Sequence, residues 1–335
     1  MFPADFAYAR ARTLDEALDL LDEAHAAGQE AKLIAGGQSL LPMMKLRLAA
    51  PEVLIDIAGL PELVQGGSYG QSHTIGALTT YRQLGAGRLP SEAPALTDAL
   101  AVLADPQVRA RGTLGGAVAH GDPASDLPAV LLALNAELTI ASRKGRHPET
   151  HLGPYPRRAG KEPSDIGRRE ITLDDFLQGI YTTDLAEDEI ITHVRISTQG
   201  ATASAYEKFP HPASHLPLAG VAVVLTYKSG RLTDENGHVT DLADGSIVRA
   251  AIAVTGISLR PYRARAAEAL LNDAFPTPET LAAAAARVTL ESPGSSKRVS
   301  LLGDQHASAD YRAHLAEVLT RRALAKAIAR GGWNS

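Results

Sequence analysis

Two glycine pairs, Gly36-Gly37 and Gly115-Gly116, constrain the fold of this chain more than any other feature, because each follows a stretch that reads as a β-strand. Glycine adopts φ > 0 at little cost and lets the backbone approach an anion. Amides left unpaired in such a loop form an anion-binding concavity. In the first loop, Lys32-Leu33-Ile34-Ala35 is short and mostly apolar, as a buried strand should be. Gln38 and Ser39 add side-chain hydrogen bonds. Leu40 to Leu48 then reads as a helix with Pro42 in its first turn, and a helix N-terminus favours phosphate. A tight structural turn would explain either glycine pair alone. Two of them point to a long ligand with a central pyrophosphate, and so to a dinucleotide.

The usual dinucleotide fingerprint is absent. The one Gly-x-Gly, Gly85-Ala86-Gly87, has Pro90 where G-x-G-x-x-G needs its third glycine. No G-x-x-x-x-G-K-[ST] run occurs. A Rossmann dehydrogenase and a P-loop NTPase are both disfavoured.

The run Ala35-Gly36-Gly37-Gln38-Ser39-Leu40-Leu41-Pro42, with Thr113-Leu114-Gly115-Gly116 and its continuation Ala117 to Leu134, resembles the FAD-binding (medium) subunit of the molybdenum hydroxylases, CO dehydrogenase and xanthine dehydrogenase type. The likeness runs nearly end to end. Phe6-Ala7-Tyr8 and Thr13-Leu14-Asp15-Glu16-Ala17 resemble the family's opening, and Arg109 to Asp126 its second FAD loop. Thr255-Gly256-Ile257, Arg260-Pro261 and Tyr311-Arg312-Ala313-His314-Leu315 are similar to its C-terminal domain.

The resemblance implies an α+β fold: a two-part FAD-binding domain of the vanillyl-alcohol-oxidase/CO dehydrogenase flavoprotein type, plus a C-terminal α+β domain. It implies subdomains at 1–58 and 59–180, the latter with an insertion at 142–170, and a C-terminal domain at 181–335. FAD would sit on this chain, wrapped at its pyrophosphate by Ala35, Gly36, Gly37, Gln38, Ser39 and Leu40. Thr113, Gly115 and Gly116 would form the second wall. Asp126 matches an acid that accepts hydrogen bonds from the cofactor, and His120 and Asp122 match positions near its ribityl and flavin end. Tyr181 matches a stretch that passes close to the flavin ring. Ala110 and Ala117 depart from the pattern, standing where many relatives carry Asn, so those side-chain hydrogen bonds are lost. The implied function is electron transfer from iron–sulfur clusters on a small partner subunit, through FAD, to an external acceptor. A large partner would carry the molybdenum cofactor, in a dimer of heterotrimers. The alternative is a self-contained FAD-dependent reductase or oxidase on the same fold, and a flavin-free scaffold is a third reading. No catalytic acid or base is required, so none is assigned.

Taken locally, several of these residues have simpler readings. Asp122-Pro123 could start a helix, with Asp as N-cap and Pro at the first position. Asp126 could be an exposed first-turn acid, His120 a hydrogen-bonded structural histidine, and Tyr181 an aromatic packed at a domain junction.

Composition agrees with a soluble cytoplasmic chain. At 335 residues it exceeds the size at which one core stops growing, so two or more domains are expected. A net charge of −5 is too mild to imply nucleic acid or a membrane surface. Asp5 and Arg10 interrupt any signal-peptide pattern, and the longest apolar stretch, Leu216 to Tyr227, is too short to span a bilayer. There is no cysteine, hence no disulfide and no cysteine-ligated cluster on this chain.

Along the chain, Thr13 and Glu16 form a capping-box pattern before an amphipathic helix to about Gly28. Val53 to Ile57 reads as a strand, Leu60 to Leu78 as strands around a Gly66-Gly67 turn, and Tyr81 and Ser91 open helices, the second running toward Leu103. Leu127 to Leu134 reads as a buried helix and Glu137 to Ala141 as a strand. The window Ser142 to Glu170, with four Pro, four Gly and eight Lys or Arg, reads as a surface loop or insertion suited to partner contact or disorder. Glu189 to Ile196 is a strand leading into the last domain. Strands at Ser204 to Phe209, Leu216 to Tyr227 and Val248 to Val254 follow, with a hairpin turn at Asp234-Glu235-Asn236-Gly237. Helices are expected at Tyr262–Leu271, Pro278–Leu290 and Ala309–Arg330. His147/His151 and His211/His215 have the i, i+4 spacing that suits zinc on a helix, but each pair encloses a proline and neither is H-E-x-x-H, so no metal is assigned.

Overall fold

The computed structural model describes residues 2–143, 165–199, 203–233 and 239–331. They form two compact units, each drawing on three stretches of chain. The first takes Met1–Ala86, Asp105–Gly121 and Ala136–Ile196; the second takes Gly87–Ala104, Asp122–Asn135 and Ser197–Ser335.

In the first unit, Val53–Asp56 is the centre of a three-stranded parallel sheet, flanked by Ala7–Arg10 and Ala31–Ile34. The helix Leu14–Ala26 begins as its cap residues dictate: Thr13 Oγ1 accepts from the Glu16 amide at 3.1 Å. The Glu16 carboxylate reaches back to the Arg12 amide at 2.7 Å, one residue beyond the reciprocal bond of a capping box. The helix buries Leu14, Ala17, Leu18 and Leu21 against Ile55, Ile57, Leu60 and Leu63, each fully buried leucine contributing about 2 kcal/mol.

A five-stranded sheet completes this unit, in the order Gly67–Tyr69, Ser72–Gly76, Ile190–Ser197, Glu137–Arg143, Ile166–Thr172. The first hairpin turns at Gly70, at φ +58°, and not at Gly66-Gly67. Gly66 is needed instead because a Cβ there would lie 2.4 Å from the Thr74 carbonyl oxygen. Both ends of the polar window 142–170 are strand, with Arg143 paired to Ile166. A half-exposed edge strand needs few apolar residues, which is why its pattern reads as loop. Residues 144–164, with the His147/His151 pair and Arg157-Arg158, lie outside the described residues.

The second unit is built on an antiparallel sheet in the order Ala203–Pro210, Pro217–Thr233, Val239–Thr255, Tyr262–Arg263. Thr233 pairs with Val239, while the turn expected at 234–237 lies outside the described residues. The helix Asp126–Ala133 is buried at every position and packs on the two long strands. The helix Ala309–Arg330 packs on the first two strands, burying Leu315, Leu319 and Leu324.

Several helix boundaries differ from the sequence reading. The helix expected from Ser91 toward Leu103 is two, Leu89–Glu92 and Pro94–Val102. Pro94 takes the first helical position of the second and forces Ala93 to ψ 83°. Tyr262–Arg263 pairs with the preceding strand, so its helix starts at Arg265. The helix from Pro278 ends at Ala285.

Candidate functional site

The first glycine loop leaves the strand Ala31–Ile34 and enters the helix Leu40–Lys45, which ends three residues before the expected Leu48; Arg47 follows in the left-handed region at φ +58°. Gly37 also has positive φ, +74°. Gly36 is required for a different reason: a Cβ on it would lie 2.1 Å from the Arg111 carbonyl oxygen and 3.0 Å from the Gly112 Cα. That contact brings the two glycine loops together, since Arg111 and Gly112 lead straight into Thr113. Gln38 folds its amide onto the Gly36 carbonyl at 3.2 Å. Among the described residues, none of the five successive amides from Gly36 to Leu40 donates to a protein acceptor, although Leu41 and Met43 bond back to Gly37 and Ser39. A row of free amides at a glycine turn is a cradle for an anion.

The second loop differs. Thr113 is buried and caps the helix Leu114–His120, its hydroxyl accepting from the Gly116 amide at 3.2 Å. Leu114 and Gly115 donate to the Thr79 and Ala77 carbonyls. Gly115 is held against Ala77, whose Cβ would stand 2.6 Å from an added Cβ. At Gly116 the added Cβ would meet only the Thr113 hydroxyl, leaving that side open. This loop thus offers a close, smooth wall more than free donors.

His120 ends the same helix, followed by Gly121 in the left-handed conformation. Tyr181 sits beside it, ring centroids 5.0 Å apart and planes tilted by 42°. The Tyr181 amide donates to the Gly121 carbonyl at 3.0 Å. Tyr181 is itself at φ +50° and 55% exposed, at the tip of the hairpin joining Leu177–Gly179 to Thr182–Thr183. Arg169 anchors the hairpin's far end, pairing with Asp184 at 2.9 Å and through two nitrogens with the buried Glu189 at 2.6 and 2.7 Å. The Glu189 hydrogen bonds are the main cause that raises the Arg169 pKa.

Asp122 and Asp126 belong to the second unit. Asp122 does not cap a helix: its carboxylate accepts from the Ala124 amide at 2.8 Å in a turn, and the helix starts at Asp126 with Ser125 as N-cap. Nor is Asp126 an exposed first-turn acid, being only 4% exposed. One oxygen accepts from the Tyr206 hydroxyl at 2.6 Å and the other from the Lys208 ammonium at 2.9 Å. Burial raises the Asp126 pKa, with Lys208 and Tyr206 opposing it. The Tyr206 phenol is raised well above its ordinary range by burial and then by Asp126, so it stays a donor. Sequence reasoning assigns Tyr206 and Lys208 no role. The available signal is their i, i+2 spacing on the strand Ala203–Pro210, which puts both on one face.

The C-terminal motifs have structural tasks in the same unit. The single Thr255 O–H is shared between the Pro123 and Ser125 carbonyls, at 2.8 and 2.9 Å, and the Gly256 amide donates to Pro123. These bonds pin the turn that carries Asp122. Arg312 is buried, donating to the Leu218 and Gly256 carbonyls and to Asp304. The His211/His215 pair is not helical: His211 Nδ1 accepts from the Ala213 and Ser214 amides, and its ring packs edge-on against His306 at 4.3 Å.

Comparison with known proteins matches residues 4–166 to the FAD binding domain in molybdopterin dehydrogenase and residues 204–327 to the CO dehydrogenase flavoprotein C-terminal domain. The chain is 36% identical to the carbon monoxide dehydrogenase medium chain of Hydrogenophaga pseudoflava, covering 98% of this chain and 99% of that one. It is 35% identical to the nicotine 6-hydroxylase medium subunit of Paenarthrobacter nicotinovorans, over 96% and 97%. Among solved structures, a carbon monoxide dehydrogenase chain from Hydrogenophaga pseudoflava superposes with a TM-score of 0.80 at 35% identity, covering 98% and 99%. A chain of quinoline 2-oxidoreductase from Pseudomonas putida 86 does so with 0.77 at 27%, covering 99% of each.

Proposed function

The chain belongs to the family of FAD-binding medium subunits of the molybdenum hydroxylases, and from that premise we propose that it is the FAD-binding electron-transfer component of a molybdenum-dependent dehydrogenase. In this reading it works between iron–sulfur clusters on a small partner and an external acceptor, while a large partner holds the molybdenum cofactor. When bound, FAD supplies the electron storage, taking electrons singly and releasing them to that acceptor. A dimer of heterotrimers in the cytoplasm is the assembly proposed. The substrate is set by the large partner.

One observation carries the reading: the unpaired amides Gly36 to Leu40, turned around Gly37 and set against Arg111 and Gly112. They would hold the FAD pyrophosphate, with Ala35 and the side chains of Gln38 and Ser39 beside it. Gly116 leaves room for the cofactor along the second wall, Thr113 fixes that wall by capping its helix, and Gly115 sets its distance from Ala77. His120 and Tyr181 would flank the flavin end. Asp126 would accept hydrogen bonds from the cofactor, and Asp122 would lie near its ribityl and flavin end. These residues bind, orient and exclude water, and none moves a proton in this scheme. The proposed first subdomain boundary, at 58, is supported by the parallel sheet lying wholly within residues 7–56.

The test is to purify the chain together with the products of neighbouring genes and record the visible spectrum before and after acid precipitation. FAD released into the supernatant, with iron–sulfur absorbance confined to the co-purifying chains, is the expected result. Folded protein that takes up no flavin when supplied with FAD defeats the reading.

A further inference from the structure

Gly112 makes two close contacts within the first unit. Its Cα would stand 3.0 Å from a Cβ on Gly36, and a Cβ on Gly112 itself would meet the Tyr81 ring, 2.5 Å from Cε2 and 3.0 Å from Cδ2 and Cζ. The Gly112 backbone, at φ −56° and ψ 137°, is open to any residue. Glycine loses more freedom on folding than other residues do, so conformation does not explain its presence here. Space does: the ring occupies the place a side chain would take.

The ring is held at its root. The Tyr81 amide donates to the Gly112 carbonyl at 3.0 Å, while the Thr79 and Ala77 carbonyls accept from the Leu114 and Gly115 amides at 2.9 and 2.8 Å. Alternate residues of Ala77–Tyr81 are thus stapled along the second glycine loop, with Thr80 opposite Thr113. Tyr81 also opens the helix Tyr81–Ala86, and a reciprocal capping box fixes that start. The Gln83 amide donates to the Thr80 hydroxyl at 3.2 Å, and the Gln83 side-chain oxygen accepts from the Thr80 amide and hydroxyl at 2.9 and 2.8 Å.

We propose that Tyr81 is a positioning residue for the cofactor's pyrophosphate: its ring, lying on Gly112, holds the second glycine loop against Gly36 and so fixes the wall facing the free amides Gly36 to Leu40. This deepens the FAD reading above and rests on it. Two linked phosphates span more of that amide row than one, so their affinity depends on where the wall stands. A single phosphate is held by a few amides of the first loop and is nearly indifferent to that distance. Tyr81 therefore favours a dinucleotide over a mononucleotide without touching either.

The experiment uses the full chain, in the complex in which it purifies, stripped of flavin and titrated with FAD, ADP and AMP, with thermal unfolding alongside. Tyr81→Phe should keep the parental affinities, because the atoms nearest Gly112 are ring carbons. Tyr81→Ala should weaken FAD and ADP by similar factors, about tenfold, and AMP far less. Gly112→Ala, which drives ring and loop apart, should do the same. The Tyr81→Ala/Gly112→Ala double variant has lost the collision, so it should lose less than the sum of the two. Parental ADP affinity in folded Tyr81→Ala overturns the proposal, as do equal losses of ADP and AMP, a Tyr81→Phe as weak as Tyr81→Ala, or additive losses in the double variant. Should Tyr81→Ala fail to fold, parental ADP affinity in Gly112→Ala overturns it equally. A parent chain that binds neither FAD nor ADP is separate, and counts against FAD binding itself.

Discussion

Gly36 approaches Arg111 so closely that a methyl group on it would lie 2.1 Å from the Arg111 carbonyl oxygen. The obstacle is backbone, which cannot rotate aside as a side chain can. Gly36→Ala should therefore separate the two glycine loops, at a cost of about 1–3 kcal/mol, and weaken FAD binding at least tenfold. Gly67→Ala is the control, because nothing lies within 4 Å of a Cβ there. Thermal unfolding and a flavin fluorescence titration measure both effects. Parental affinity in Gly36→Ala would show that the loops need not touch.

Tyr181 holds a left-handed backbone at φ +50° with its ring half in solvent. The conformation costs an L-residue about 1–2 kcal/mol. Asn tolerates this region. Tyr181→Asn should leave Tm equal or a little higher while flavin dissociates faster and is quenched more readily by iodide. A lower Tm with unchanged flavin release would make Tyr181 a packing residue only.

The parts of this fold visible in sequence are those with local causes. The cap at Thr13, the helix from Ala309, the two glycine pairs and the apolar helix before Leu134 all show in their own few residues. What escapes sequence reasoning is whatever needs distant chain. Asp126 meets Lys208 across 82 positions of sequence, and no local pattern distinguishes a paired buried acid from an exposed one. Gly36 signals a turn, but the reason it must be glycine is Arg111. The second unit's recruitment of Gly87–Ala104 and Asp122–Asn135 is likewise a matter of packing between separate stretches.

Arg169 and Glu189 carry a prediction about buried charge. The Glu189 side chain is 1% exposed and also accepts from the Ala186 amide at 2.9 Å. Arg169→Met leaves that carboxylate buried without its cation, and should cost about 3–5 kcal/mol. Adding Glu189→Gln removes the stranded charge and should recover a good part of the loss. Urea unfolding of the single and double variants decides it; a double variant no better than Arg169→Met would show that lost packing, not stranded charge, sets the cost.

Asp304 gives the fold an acid-sensitive joint. Burial works to raise its pKa, but the His306 and Ala307 amides at 2.8 and 3.0 Å and the Arg312 guanidinium outweigh it, holding the carboxyl down to about 2. Arg312 is the buried residue that also grips Leu218 and Gly256. A carboxyl whose folded pKa lies below its unfolded one contributes its stability in full above the unfolded value, about 3.9. That contribution is lost as pH falls through the window from there to about 2. Asp304→Asn should therefore lower Tm at pH 7, and the gap to the parent should close as pH approaches 2. The side chain is half exposed, so salt screens part of the effect and the pH 7 gap should narrow in concentrated salt. A gap that stays constant from pH 7 down to the acid limit would mean that Asp304 acts through its shape and hydrogen bonds, not its charge.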